Sequence, residues 1–260
     1  MKPVLDLLLQ RKSIRAYEAT PVPDDVKEMI LHAARRAPTA GNLMLYSIIE
    51  VRDQQAKDTL AQTCDDQPFI AAAPLVLLFV ADYQRWYDYF LYSGVEALCA
   101  ERAVAFRRPA EGDLILACCD ALIAAQTAVI AAESLGLGSC YIGDILENAE
   151  THRELFDLPP YAFPICLLCI GYPTQEQQER ELTTRFDREF IVFEDRYHRL
   201  SGDEFRRMFA DMEARRRKWS PAPERGANIG QSIYLRKYSA QYSLEMNRSV
   251  RVLLQTWLSA

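Results

Sequence analysis

The 260-residue sequence has little histidine, little glycine and no surplus of positive charge. Lys and Arg number 30 against 36 Asp and Glu, a net charge of −6. That balance argues against a general nucleic-acid or membrane-surface partner, because such binders need excess cations. With three His and no second Cys-X-X-Cys beside Cys166–Cys169, a zinc site lacks ligands. The seven cysteines (Cys64, Cys99, Cys118, Cys119, Cys140, Cys166, Cys169) are odd in number and lie mostly in apolar runs, as reduced core thiols do. Cys166 and Cys169 fall inside Phe163–Ile170, an apolar run that reads as a buried strand, where residues three apart face opposite ways. The N-terminal apolar patch Val4–Leu9 is broken by Asp6 and too short for a secretory signal, so the cytoplasm is the expected compartment. The longest apolar stretch, Leu114–Ala132, carries Asp120 and Gln126 and reads as a buried helix rather than a membrane span.

What is present is an interleaving of helical and strand patterns. Helices are expected over 2–10, 24–36 (capped by Asp24 after Pro23), 54–63, 84–107, 113–135, 148–156, 203–218 and 232–258. Strands are expected over 45–51, 75–80, 162–171 and 190–193, and a strand or loop over 139–142. Tight βαβ repeats are absent, which favours an α+β fold over a doubly wound sheet. The 113–135 helix is apolar almost all round, as in a core or a subunit interface. Composition shifts after Tyr197, and Ser220–Gly230 is rich in Pro and Gly. The expected division is a domain over 1–200 and a helical extension over 201–260, packed on the core or on a partner subunit.

Three segments carry possible binding chemistry. Arg11-Lys12-Ser13-Ile14-Arg15 places three cations and a hydroxyl within five residues, a set suited to phosphate, although alone it reads as a solvated basic turn. Ala37-Pro38-Thr39-Ala40-Gly41-Asn42 ends a helix in small residues that leave backbone groups open to a flat ligand. Gly136-Leu-Gly138-Ser-Cys-Tyr-Ile-Gly143-Asp144 has the glycines of a dinucleotide loop, but they follow a helix instead of leaving a strand, so that reading fails.

Taken together, these segments resemble the FMN-dependent nitroreductase family from about Leu7 to Tyr197. Cys64-Asp-Asp-Gln67-Pro-Phe69 with the strand Leu75–Asp82 is similar to a flavin-contact segment of the larger, NADPH-preferring nitroreductase and flavin reductase branch. So are Glu133–Gly138 with Tyr141-Ile142-Gly143, and Leu182-Thr-Thr-Arg185 with Phe190–Tyr197. The resemblance implies a three-layer α+β sandwich with a central, mostly antiparallel sheet, assembled as a homodimer whose sites draw on both subunits. It implies that Arg11, Lys12, Ser13, Arg15 and Arg185 hold the FMN phosphate. Thr39, Ala40 and Gly41 would approach the ring with Gln67 and Phe69, and Tyr141, Ile142 and Gly143 would line the other side. The chain departs from the branch at Thr183, where Lys is frequent, at Met44, where Gln is frequent, and at Asp144, where Gly is frequent. Arg215–Lys218 is a further cationic run, readable as a nicotinamide 2′-phosphate site or as a solvated helix end.

The resemblance implies hydride transfer through FMN, from NAD(P)H to small electron-poor acceptors such as nitroaromatics and quinones, by a ping-pong cycle that needs no triad or metal cluster. Free-flavin reduction, ene reduction and dehalogenation are alternatives on the same scaffold. A non-enzymatic flavin-binding redox sensor is the alternative from another class.

Overall fold

The computed structural model describes residues 3–219 and 226–260, with the side chains of 217–219 left aside. Residues 220–225 of the expected Pro/Gly-rich linker lie outside the described residues.

Two apolar runs form the middle of the sheet. β2 (Leu75–Asp82) is buried at every position and β4 (Ala162–Gly171) at all but one. They pair antiparallel, Leu75 opposite Ile170 and Leu77 opposite Leu168. β1 (Tyr46–Glu50) joins β2 and β3 (Gly138–Ile142) joins β4, giving the order β1-β2-β4-β3 with each pairing antiparallel. Strand side chains alternate between faces, so Leu77, Phe79 and Leu168 enter one core while Val76, Leu78 and Leu167 enter the other. Cys166 and Cys169 fall on opposite faces in the same way, and burial pushes the Cys166 thiol up to about 12.

The first core lies under α2 (Asp24–Arg35) and α7 (Glu111–Ser134). The second lies under α3 (Gln54–Thr63), α4 (Phe69–Ala72), the 3-10 turn Asp144–Leu146 and the end of α8 (Ala149–Leu155). Helices therefore cover both faces of an antiparallel sheet, the expected three-layer α+β sandwich. On α7 the residues turned inward are mostly small: Ala117, Ala121, Ala124, Ala125, Ala128 and Ala132 are fully buried. Its bulky residues Ile115, Leu116, Leu122 and Ile123 point outward at 62%, 50%, 42% and 40% exposure. By length and composition α7 could cross a membrane, but its alanine face belongs to the sheet's core.

Several expectations differ from the structure. Asp24 does not cap α2; Pro23 holds that position, and Asp24 instead pairs with Lys27 at 2.7 Å. The 84–107 helix is two helices, α5 (Gln84–Tyr92) and α6 (Val95–Glu101), parted at Gly94 with φ 71°. The segment 203–218 likewise divides at Phe209 into α10 (Gly202–Met208) and α11 (Ala210–Trp219). The terminal helix divides into α12 (Ile229–Ile233), a π turn Tyr234–Tyr238 and α13 (Gln241–Ser259). Residues 190–193 are not a strand: Phe190 ends a 3-10 turn and Ile191 is 58% exposed. An apolar run cannot hold strand geometry without a neighbour for its ladder bonds, and among the described residues the sheet has four strands without it.

The chain forms two compact units, 1–181 with 245–260, and 182–244. The last turns of α13 belong to the first unit because Leu253 and Trp257 are buried among Leu114, Tyr161 and Phe163. In the second unit Glu189 pairs with Arg207 at 2.7 Å and Phe186 meets Phe209 edge to face.

Candidate functional site

The basic segment follows α1 (Val4–Gln10) and runs along the outer edge of β3. Ser13 bridges Ser139, and the Ile14 N–H donates to the Ser139 carbonyl at 2.9 Å. This approach needs a glycine, since a Cβ at Gly138 would collide with the Ile14 side chain. The Lys12 ammonium donates to the Gln178 carbonyl at 2.5 Å and to the Arg180 carbonyl, and Arg180 returns a hydrogen bond to the Ser13 carbonyl. The Arg15 N–H donates to Gln177 Oε1 at 3.2 Å.

Cations converge here. Burial pushes the Cys140 thiol up, while Arg15, Arg11 and Arg180 each pull it down. The Nη1 of Arg11 is buried with no hydrogen-bond partner. A buried guanidinium N–H without an acceptor is costly, and a phosphate oxygen is the acceptor whose charge and fork geometry suit it. The residues present therefore fit a phosphate-bearing ligand. Arg180 was not singled out from the sequence, being far in the chain from 11–15. It arrives because Tyr17 bridges Pro173 just before α9 (Gln175–Glu179).

The second segment, Thr39–Leu45, is held by α7. Buried Asp120, 2% exposed, accepts from the Ala40 N–H at 2.9 Å and from the Leu45 N–H at 3.1 Å. The loop needs this help because Gly41, Asn42 and Met44 all take positive φ (56°, 57° and 51°). Thr39 Oγ1 adds an acceptor for the Met44 N–H at 3.2 Å. Sequence reading found Thr39, Ala40 and Gly41 but not Asp120, although a lone carboxylate in an apolar helix was the available signal.

The third group lies past the end of β3. Gln67 donates from Nε2 to the Cys64 carbonyl and to Asp144 Oδ2, each at 2.8 Å, which brings 67 beside 143–144. Phe69 opens α4 and packs half-buried on the core. Tyr141 is half-buried, with its hydroxyl 3.3 Å from Gln126 Oε1 on α7, and burial pushes that phenol up. Ile142 points into the core at 2% exposure, so only its backbone could face a ligand. Gly143 precedes the 3-10 turn with an ordinary φ of −80°. From Ser139 beside the basic segment to Gly143 beside Gln67 is roughly 14 Å at strand rise. That span suits an elongated ligand with an anion at one end.

Arg185 lies in the second unit, where its Nη1 donates to Thr183 Oγ1 at 2.6 Å and to the carbonyls of Thr183 and Thr184. Arg216 donates to the Gly226 and Ala227 carbonyls; the Arg217 and Lys218 side chains lie outside the described residues.

The sequence profile of the Nitroreductase family matches residues 8–172. The chain is 32% identical to the oxygen-insensitive NADPH nitroreductase of Salmonella typhimurium over 77% of each chain. It is 33% identical to the FMN reductase [NAD(P)H] of Bacillus subtilis, over 69% of this chain and 70% of that one. The fold matches the crystal structure of nitroreductase A from Vibrio parahaemolyticus with a TM-score of 0.80 and 23% identity, covering 100% of this chain and 99% of that one. The profile spans the basic segment, the 39–45 loop, Gln67 and β3 in one continuous stretch, and the chain belongs to the nitroreductase family.

Proposed function

We propose that this chain binds FMN and passes reducing equivalents from NAD(P)H to small electron-poor acceptors. The observation that carries the reading is the buried, unpartnered Arg11 Nη1 in a basic segment pinned to β3. The names of the relatives support it: an NADPH nitroreductase, an NADPH-flavin oxidoreductase and an FMN reductase. Arg11, Lys12, Ser13, Arg15 and Arg185 would hold the phosphate. When bound, the flavin supplies two-electron hydride chemistry that no side chain of this chain can perform.

The chain's own residues bind and orient. Gly41, Asn42 and Met44 would shape the loop for a flat ligand to approach, with Asp120 holding the Ala40 and Leu45 N–H groups in place. Gln67 has committed its amide nitrogen to Cys64 and Asp144, so its carbonyl oxygen is what it can offer a ring N–H. Donor and acceptor would use one place in turn, a ping-pong scheme that gives parallel double-reciprocal lines.

The outward face of α7 and the exposed Leu5, Leu8 and Leu9 of α1 make an apolar surface that favours a homodimer. The free thiols of the core favour a reducing, cytoplasmic setting. Residues 1–200 would form the flavin-binding domain and 201–260 a helical extension, as the change of composition after Tyr197 suggests. Free-flavin reduction is the second reading, favoured by the relatives named as flavin reductases. Nitrofurazone, a quinone, free FMN and an enone as acceptors distinguish the two.

Anaerobic titration of the purified protein with NADPH and NADH tests the reading. Expected is a yellow protein bleached by about one equivalent of nicotinamide; colourless protein that takes up no added FMN would overturn it.

A further inference from the structure

One buried ionisable group takes no part in that chemistry. Glu147 closes the turn Asp144–Leu146, is 5% exposed, and leaves its Oε1 without a hydrogen-bond partner. The charges that face it are acidic: Asp144 on its own turn, Asp65 from the α3–α4 connection and Glu245 from α13. Glu245 is engaged elsewhere, accepting from Arg248 at 2.7 Å and from the Asn148 N–H at 3.1 Å. Burial lowers the pKa of His152, which also meets the Glu147 backbone and is bonded to Thr63 and to the Ile145 carbonyl. Burial first, and then the neighbouring carboxylates, push the Glu147 carboxyl from 4.5 up to about 8. At neutral pH it is a carboxylic acid with an O–H to give.

A receiver is in place. Asp144 lies on the same turn, its carbonyl accepting from the Glu147 N–H at 3.0 Å, and its Oδ2 accepts from Gln67 Nε2 at 2.8 Å. We propose that Glu147 is a positioning residue: as a neutral acid it donates its O–H to Asp144 and so holds that carboxylate on the amide of Gln67. Its bearing on catalysis rests on the flavin function proposed above; the contact itself does not. When Glu147 releases its proton to solvent, two carboxylates face each other in a buried turn and repel. The turn and the 64–70 segment then loosen, and Gln67 loses its fixed pose at the ligand end of β3. The reach from Glu147 to the site passes through Asp144, a position where the related branch often has glycine.

The test is hydrogen–deuterium exchange across residues 64–70 of the full chain, wild type against Glu147→Gln, at pH 6 and pH 9. Glutamine keeps a donor and has no proton to lose. Expected is equal exchange at pH 6 and severalfold faster exchange in the wild type at pH 9. Intrinsic exchange changes equally in both proteins, so the difference isolates the side chain. Melting curves supply an independent sign. A carboxyl raised in the folded state contributes stability that is full below 4.5 and lost as pH rises to about 8. The Tm of Glu147→Gln minus that of the wild type therefore grows across that interval and then levels. Equal exchange at pH 9, or parallel Tm curves, overturns the proposal. Should Glu147→Gln fail to fold, Asp144→Asn removes the repulsion instead, and its exchange, corrected for intrinsic rates, should not accelerate between pH 6 and pH 9; acceleration equal to the wild type's overturns the proposal. The absorbance of the same samples separates the two readings. Colourless protein with the expected exchange difference sinks the flavin function alone, and yellow protein without the difference sinks this one alone.

Discussion

Residues 11–15 and residues 39–45 are the two segments proposed to meet the ligand, and the chain secures them in different ways. The basic segment is held by many bonds of moderate strength: the bridge to Ser139, the Lys12 ammonium on two carbonyls, and Arg180 on the Ser13 carbonyl. The 39–45 loop is held from beneath by one buried carboxylate spanning two backbone N–H groups, and from α5 by Trp86 donating to the Leu43 carbonyl and Arg85 to the Met44 carbonyl. Redundancy suits a segment that carries mutually repelling cations, because no single bond must overcome that repulsion. A buried acceptor beneath the chain suits a loop with three left-handed residues, which has a specific shape to keep. Sensitivity to mutation should therefore be greatest on α7, at a residue that touches no ligand, rather than among the cations.

The largest effect should come from Asp120→Ala. It removes two hydrogen bonds to a charged acceptor and leaves their donors at the edge of the core, a loss of about 3 kcal/mol in denaturant unfolding. An unchanged midpoint would mean that the loop holds itself. Next is Gly138→Ala, whose methyl group must displace Ile14 and with it the basic segment, at about 1–3 kcal/mol. Adding Ile14→Ala should restore FMN affinity even though it removes a buried side chain, which distinguishes a steric clash from general loss of packing. Failure of that rescue would place the fault elsewhere in β3. The smallest effect is Thr39→Ala, which removes one neutral hydrogen bond beside the Asp120 anchor, about 1 kcal/mol by the same unfolding measurement. A loss as large as that of Asp120→Ala would make the two anchors equal and end the distinction.

The sheet was legible in the sequence because its central strands are continuous apolar runs, and 75–80 and 162–171 have no alternative reading at that length. The same rule misleads at 190–193, since an apolar run states that burial is wanted but not which strand will provide it. The 84–107 helix breaks where Ser93-Gly94 admits a left-handed residue, a local preference that overrides the surrounding helical pattern. At the site, Arg11–Arg15 and Thr39–Gly41 announce themselves by residue type. Asp120 was visible only as an interruption in an apolar helix, although a buried carboxylate always needs partners. Arg180 gave no local signal, because only the folding of β4 back past Tyr17 brings it to Ser13. Gln67 was found, but its tie to Asp144 joins residues 77 apart and depends on the third strand's end meeting the α3–α4 connection.

The central claim, that the basic segment is a phosphate cradle, is tested most directly by calorimetric titration of FMN and riboflavin into the wild type and Arg11→Ala. The two ligands share a ring system and differ by the phosphate. Expected is a wild-type preference for FMN of more than tenfold, equivalent to about 1.5–3 kcal/mol for a charged hydrogen bond, falling markedly in Arg11→Ala while riboflavin binding stays the same. Equal affinity of the wild type for both ligands, or an FMN preference untouched by the substitution, would contradict it.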